Sequence, residues 1–285
     1  MINPSETPIT VHSSVLDEVG GVILHHVSNS EALIPLPSVL GIDFSITKHV
    51  IMLWIAALVV FTLFYLGTRI YRREKYPVPS GLSNALESLV NFIRTQVVIP
   101  YVGKEDNLRW SPLILTFFFF ILTTNSLGMI PLFDLIPGGS TATGNFNVTA
   151  GLATVTFMAI IAAGSIKHGF IGHWKNLAPA GHPFGVYFLL VPIEIIAMFV
   201  KPFALTMRLA ANMTGGHIAI LSIMSFIFIF SELFGNSIGI ATGAFVSVPL
   251  NVAISGLEII VILIQAYVFT LLSSIFVGMA IHPHH

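Results

Sequence analysis

The 285-residue chain has no cysteine, which removes disulfide scaffolds, thiolate zinc sites and thiol catalysis in one step. Charge is almost as scarce. Twelve Lys and Arg and 13 Asp and Glu make up 9% of the residues, against roughly 25% in ordinary soluble domains. Too few solvated side chains remain to cover a water-facing surface, and 55% hydrophobic residues with a mean hydropathy of +0.89 place the chain in a lipid membrane. A formal net charge of -1 lacks the excess of basic residues that a nucleic-acid partner demands. Also missing are a G-x-S-x-G elbow, an H-E-x-x-H helix, a P-loop and a G-x-G-x-x-G fingerprint, so no covalent, metal, cofactor or nucleotide chemistry is expected. The expectation is a non-enzymatic protein that moves something instead of transforming it.

The few charges divide the chain. None occurs between Lys48 and Arg69, between Arg109 and Asp134, or between Asp134 and Lys167, and each gap holds the roughly 20 apolar residues that cross hydrocarbon. Helices are therefore predicted at about 49–68, 111–133 and 148–166. Residues 1–45 form an acidic extension with Glu6, Asp17, Glu18, Glu31 and Asp43 and no Lys or Arg, unlike a secretory signal or a transit peptide. Residues 46–285 then form a single membrane domain. Arg69, Arg72, Arg73 and Lys75 follow the first span, and the positive-inside rule puts them in the cytoplasm and the N-terminus outside. Lys167, His168, His173 and Lys175 after the third helix agree in parity.

Between the first two spans, apolar Leu82, Leu86, Leu89, Val90, Ile93 and Val97 fall on one helical face, with Asn84, Glu87, Ser88, Asn91 and Arg94 opposite. This is the pattern of an amphipathic helix, about 82–103, lying in the interface plane. The Gly-, Ser- and Thr-rich stretch from Pro137 to Asn147 reads as a loop. Beyond Phe184, hydropathy alone allows spans at 184–207, 209–231 and 243–281. The last is too long to stand upright and fits a strongly tilted helix. The residues by themselves leave five or six crossings open.

Single ionisable groups interrupt this last region. Glu194, Lys201 and Arg208 are seven residues apart, with Asn212 one turn further and Gly215, Gly216 and His217 following. Glu258 and Gln265 repeat the seven-residue spacing on the last helix, and a heptad drifts by only ~20° around a helix. Each helix thus presents a narrow polar stripe. A guanidinium at mid-membrane costs roughly 2.5–3.5 kcal/mol or more, so it survives only beside a partner or a wet cavity. Arg208 cannot release a proton, whereas His217 and Glu258 can titrate near neutrality. A fixed cation flanked by titratable groups fits proton conduction with a barrier in the middle.

Plainer readings stand beside these. Arg208 could pair structurally with Glu258, and Lys201, before Pro202, could snorkel to a headgroup. Glu232 lies near Gly235, Gly239 and Gly243, a pattern that fits either close helix contact or a turn. His168, His173, His282, His284 and His285 lack metal-ligand spacing and read as loop or tail residues. An ion-coupled secondary transporter is the alternative function, weakened by the absence of a paired inverted repeat of broken helices.

The run from Lys201 to His217, K-P-F-A-L-T-M-R-L-A-A-N-M-T-G-G-H, closely resembles subunit a of the membrane (Fo) sector of F-type ATP synthases, of bacterial type. That family has an Arg followed by Leu, an Asn four residues after the Arg, and then small residues and an acid or His. Asn125 to Pro131, Asn147-Val-Thr and Leu263 to Phe269 are similar to further family segments, so that the likeness covers residues 45–281. The resemblance implies an all-α integral membrane protein with about five crossings plus the amphipathic helix, the last two membrane helices (184–235 and 243–281) long and tilted against a rotor ring. It implies a stator with two offset half-channels, in which Arg208 meets the essential carboxylate of a c-ring of small hairpin subunits and Asn212 and Gln265 neighbour that contact. His217 and Glu258 would form a coupled pair in the half-channel facing the proton source, and Glu194 would lie toward the exit. Peripheral-stalk b subunits and, indirectly, the F1 sector would be further partners, in a bacterial inner membrane with the C-terminus cytoplasmic.

Overall fold

The computed structural model describes residues 32–35, 45–73, 78–130, 142–175 and 184–282. Most of the acidic N-terminal extension, the first part of the Pro137–Asn147 loop, Lys75, His284 and His285 lie outside the described residues. The fold is all-α, with five helices long and apolar enough to cross a membrane. One short exception is an antiparallel ladder in which β1 (Ala32–Ile34) pairs with β2 (Ile46–Thr47) just before the first helix.

Helix α1 (Lys48–Gly67) carries apolar residues on all sides. Met52 and Ala56 face the protein while Trp54, Leu58 and Phe61 are exposed, as suits a helix with lipid on one side. After the short α2 (Arg69–Arg73), Gly81 takes φ 55° and opens α3 (Leu82–Ile93). Ser83 Oγ donates to the Gly67 carbonyl (2.8 Å) and Tyr71 OH to Glu87 Oε2 (2.5 Å), which fasten this amphipathic helix to the end of α1 and to α2. A π-helical turn (Arg94–Val98) carries it into α4 (Ile99–Val102), with Ile93, Val97, Val98 and Val102 fully buried.

Helix α5 (Asn107–Gly128) follows, then a 3-10 turn (Ala142–Gly144), α6 (Phe146–His168) and the short α7 (Phe170–Lys175). Asn145 caps α6 by accepting from the Asn147 amide (2.8 Å), filling one of the orphan donors at a helix start. The last two helices are α8 (Phe184–Phe234) and α9 (Asn236–Ile281), of 51 and 46 residues. At 1.5 Å per residue each is roughly 70 Å long or more, over twice the hydrocarbon thickness of about 30 Å. Neither can stand upright within a bilayer. The two separate spans that hydropathy permits around Arg208 do not form, because α8 runs unbroken through Pro192, Pro202 and Arg208. A break there would expose backbone groups where no water can satisfy them.

Helix α9 is the centre of the assembly and touches α4, α5, α6 and α8. Phe269 packs edge-on against Phe117 at 5.5 Å, within a cluster that includes Ile114, Leu205, Leu209, Met213 and Val277. The far end of α9 is fastened by two imidazoles: His168 Nε2 donates to the Ile281 carbonyl (2.9 Å) and His282 Nε2 to the Val102 carbonyl (3.2 Å). Gly278 lets α9 lie against the backbone of α4, since a Cβ there would collide with the Tyr101 carbonyl oxygen.

Gly278→Ala is therefore expected to destabilise the detergent-solubilised protein by about 1–3 kcal/mol through overpacking, read as a lower thermal midpoint. His173 supplies a second test. It is buried against Gly164, and burial first, then the charge of neighbouring His168, holds its imidazole below the ordinary 6.5. The unfolded chain then binds this proton more readily than the folded one, so His173's contribution is complete above 6.5 and is lost as pH falls below it. The thermal midpoint should drop between neutral and mildly acidic pH, and His173→Asn should flatten that drop; an equal drop in the variant would refute the assignment.

Candidate functional site

The site is built by the return of α9 on α8. Gly235 makes the turn at φ 80°, a left-handed value that favours glycine. Four and eight residues on, Gly239 faces the Phe230 backbone and a Cβ at Gly243 would lie 2.7 Å from Ile227 Cα. The two helices therefore touch backbone to backbone near the turn. Both sequence readings of this glycine series hold: Gly235 turns the chain, and Gly239 and Gly243 permit close contact. Glu232 is exposed beside the turn.

Further along the seam the polar stripes meet. Asn212 Nδ2 on α8 donates to Gln265 Oε1 on α9 at 3.0 Å, and Gln265 is only 3% exposed. Two turns back along α9, Glu258 is 5% exposed and sits against Gly216, where a Cβ would lie 2.8 Å from the carboxylate Oε1. The absent side chain at Gly216 is what makes room for the carboxyl. His217, next in sequence, is half-buried.

Arg208 lies on the exposed side of α8, one turn before Asn212. It does not pair with Glu258, and among the described residues it has no hydrogen-bond or ion-pair partner. The other basic residue of the stripe is held differently. Lys201 Nζ stands 3.6 Å from Glu194 Oε1 and 6.0 Å from the Phe276 ring centre, so its ammonium is occupied within the chain. The structure thus joins Asn212 to Gln265 and Glu194 to Lys201, seats Glu258 against Gly216, and leaves Arg208 exposed. An outward guanidinium in a membrane helix requires a covering partner or water. Among the described residues no group of three His, Asp or Glu is disposed to hold a metal.

One polar link lies outside the two stripes. Fully buried Asn125, on α5, accepts from Thr143 Oγ1 at 2.5 Å. The same 3-10 turn offers the Gly144 carbonyl to Thr214 Oγ1 on α8 at 3.1 Å. These residues tie α5, the turn and α8 together two residues from both Asn212 and Gly216. A lone amide in the apolar run of α5 was a usable signal for Asn125. Thr143 had none, since it falls in a stretch that reads as loop.

The family described as ATP synthase A chain matches residues 50–278. The chain is 43% identical over 275 residues to ATP synthase subunit a 2 of Chlorobium luteolum, an alignment covering 93% of this chain and 76% of that protein. It is 39% identical over 289 residues to ATP synthase subunit a of Pelodictyon phaeoclathratiforme, covering 97% and 80%. With ATP synthase subunit a of Myxococcus xanthus the identity is 43% over 246 residues, covering 86% and 75%.

Thr143→Val keeps the shape of the turn residue but leaves the Asn125 carbonyl oxygen buried without its donor. The expected cost is about 1–3 kcal/mol, measured as a lower unfolding midpoint in detergent, and an unchanged midpoint would contradict the link.

Proposed function

The chain belongs to the ATP synthase A chain family, and from that premise we propose that it is the proton-channel stator of an F-type ATP synthase, with Arg208 at its contact with the rotor. As a subunit a it is a multi-pass membrane component of the bacterial enzyme that takes part in proton translocation and performs no catalysis itself.

The observation that carries it is Arg208. Its guanidinium is exposed on α8 with no partner among the described residues, and Asn212 and Gln265 form a neutral bridge one turn away. A permanent cation so placed suits a carboxylate arriving from outside the chain. In the proposed cycle, the essential carboxylate of the c-ring gives up its proton on meeting Arg208, pairs transiently with it, and is reprotonated from the other half-channel. Because Arg208 never releases a proton, it cannot pass one across, and its charge repels a proton moving directly between the half-channels.

His217 and Glu258 would serve the inlet from the proton source. Glu258 is buried in the seam between α8 and α9, seated against Gly216. Asn125, Thr143 and Thr214 extend the polar lining toward the outer ends of α5 and α6. Glu194, paired with Lys201, would lie on the exit side. With the N-terminus outside, α9 ends in the cytoplasm of a cell bounded by a bacterial inner membrane. The c-ring covers the Arg208 face, while b subunits of the peripheral stalk hold the stator still against torque and link it to the F1 sector. Each proton crossing gains about 2.3 kcal/mol per 100 mV, so ATP synthesis needs several protons per turnover and no leak past Arg208.

Arg208→Ala is expected to abolish ATP synthesis in energised membrane vesicles while a small, very apolar ring subunit still co-purifies with the chain in mild detergent. Synthesis near the wild-type rate in that variant would overturn the reading.

A further inference from the structure

Away from the polar stripes, a half-open cavity of about 640 Å³ lies where α1 and α6 begin. Helix α1 packs along α5, and the cavity is lined by the first turns of α1 and of α6 together with Phe120 of α5. Its lining is sorted by depth. Thr47, His49 and Asn147 stand at the two helix starts, whereas apolar Leu53 and Val155 lie about 8 and 14 Å beyond the first residues of their helices. His49 is 4% exposed, and its Nδ1 has no hydrogen-bond partner among the described residues. Gly151 also lines the cavity, and a Cβ there would meet open space, so packing within the chain does not demand a glycine at this position.

The two ends of this cavity ask for different chemistry. The first amides of a helix have no partner within it. Thr47 makes no side-chain cap at α1, and neither α1 nor α6 carries an acid in its first turn, so two positive helix ends border the cavity without a fixed negative charge. Such ends favour phosphate. A buried imidazole without a partner is a further polar group that calls for one, and its N–H can donate to a phosphate oxygen. Inward from these groups the lining is apolar. We propose that the cavity holds one phospholipid, its phosphate beside His49 at the starts of α1 and α6 and one acyl chain laid along Leu53, Leu152 and Val155. The start of α1 is the end of a membrane span, the depth at which headgroups lie. Free phosphate shares the headgroup chemistry but leaves the apolar length of the cavity unfilled. The lipid fixes the spacing of α1 and α6, and its binding is independent of the role proposed for Arg208.

The test is native mass spectrometry of the full chain, purified in mild detergent and washed free of loosely held lipid. Wild type should retain one phospholipid. Gly151→Trp, which fills the cavity, and His49→Phe, which keeps an aromatic ring but removes its nitrogens, should each lower the retained fraction several-fold. Leu58→Trp, on the exposed face of α1 outside the cavity, should leave it unchanged. Adding phosphatidylglycerol back in the same detergent should raise the thermal midpoint of wild type and not that of Gly151→Trp, whose own cooperative transition shows that it is folded. Wild type that retains no phospholipid, or retention in Gly151→Trp and His49→Phe equal to wild type, would overturn the proposal. Delipidated wild type that binds inorganic phosphate but gains no thermal stability from phosphatidylglycerol would make this a free-anion site, and the lipid would fall.

Discussion

Where α9 folds back on α8, the absence of side chains at Gly239 and Gly243 lets the two backbones touch, and the width of that contact fixes the rest of the site. Lipid offers helices little hydrophobic reason to associate, so close dispersion contact and a few hydrogen bonds must hold the hairpin. Beyond the turn, α9 buries the Ser247 hydroxyl, the Asn251 amide oxygen and then the Glu258 carboxyl. Gly216 repeats the device one step further on, leaving the volume that Glu258 occupies. The bridge from Asn212 to Gln265 closes the series. A single interhelical hydrogen bond of this kind contributes roughly 0.6–2 kcal/mol in a membrane, so it sets the register of the pair more than it holds the pair together.

The charges follow a division of labour with a physical basis. Lys201 and Lys167 are held inside the chain by Glu194 and Asp106, at 3.6 Å and 2.8 Å. Arg208 is not so held. In a membrane that difference cannot be neutral, because an exposed guanidinium is among the costliest groups to leave facing hydrocarbon. Large apolar side chains stand exposed beside it, among them Phe203 and Met207. A face that combines an unpaired cation with bare apolar residues is shaped for a partner that is itself apolar and carries an anion. The rotor ring proposed above would be such a partner.

Some of this was legible in the linear sequence, for identifiable reasons. Arg208, Glu194 and Glu258 stand out because charge is rare and hydrocarbon penalises it, and the seven-residue spacing of Glu258 and Gln265 marks a single helix face. Whether Arg208 pairs with Glu258 was not legible, since both lie on suitable stripes and only the rotation of α8 against α9 separates them. The continuity of α8 was hidden for a similar reason: Pro202 and Arg208 look like a break when read as local signals, but the membrane leaves unsatisfied backbone no refuge. Thr143 bonds Asn125 eighteen residues away through a turn that carries no periodic pattern. Ser247 and Asn251 look like ordinary small polar residues until burial removes their water.

The sequence by itself determined that this chain lives in a membrane, that it is helical, and which of its few ionisable groups are out of place there, because hydropathy and helical period are local properties. Tertiary structure alone decided which of those groups meet. It turned Arg208 outward, joined Asn212 to Gln265 and seated Glu258 against Gly216, because each outcome depends on how closely two helices far apart in sequence approach and at what rotation, and that is set by where glycines leave out a side chain.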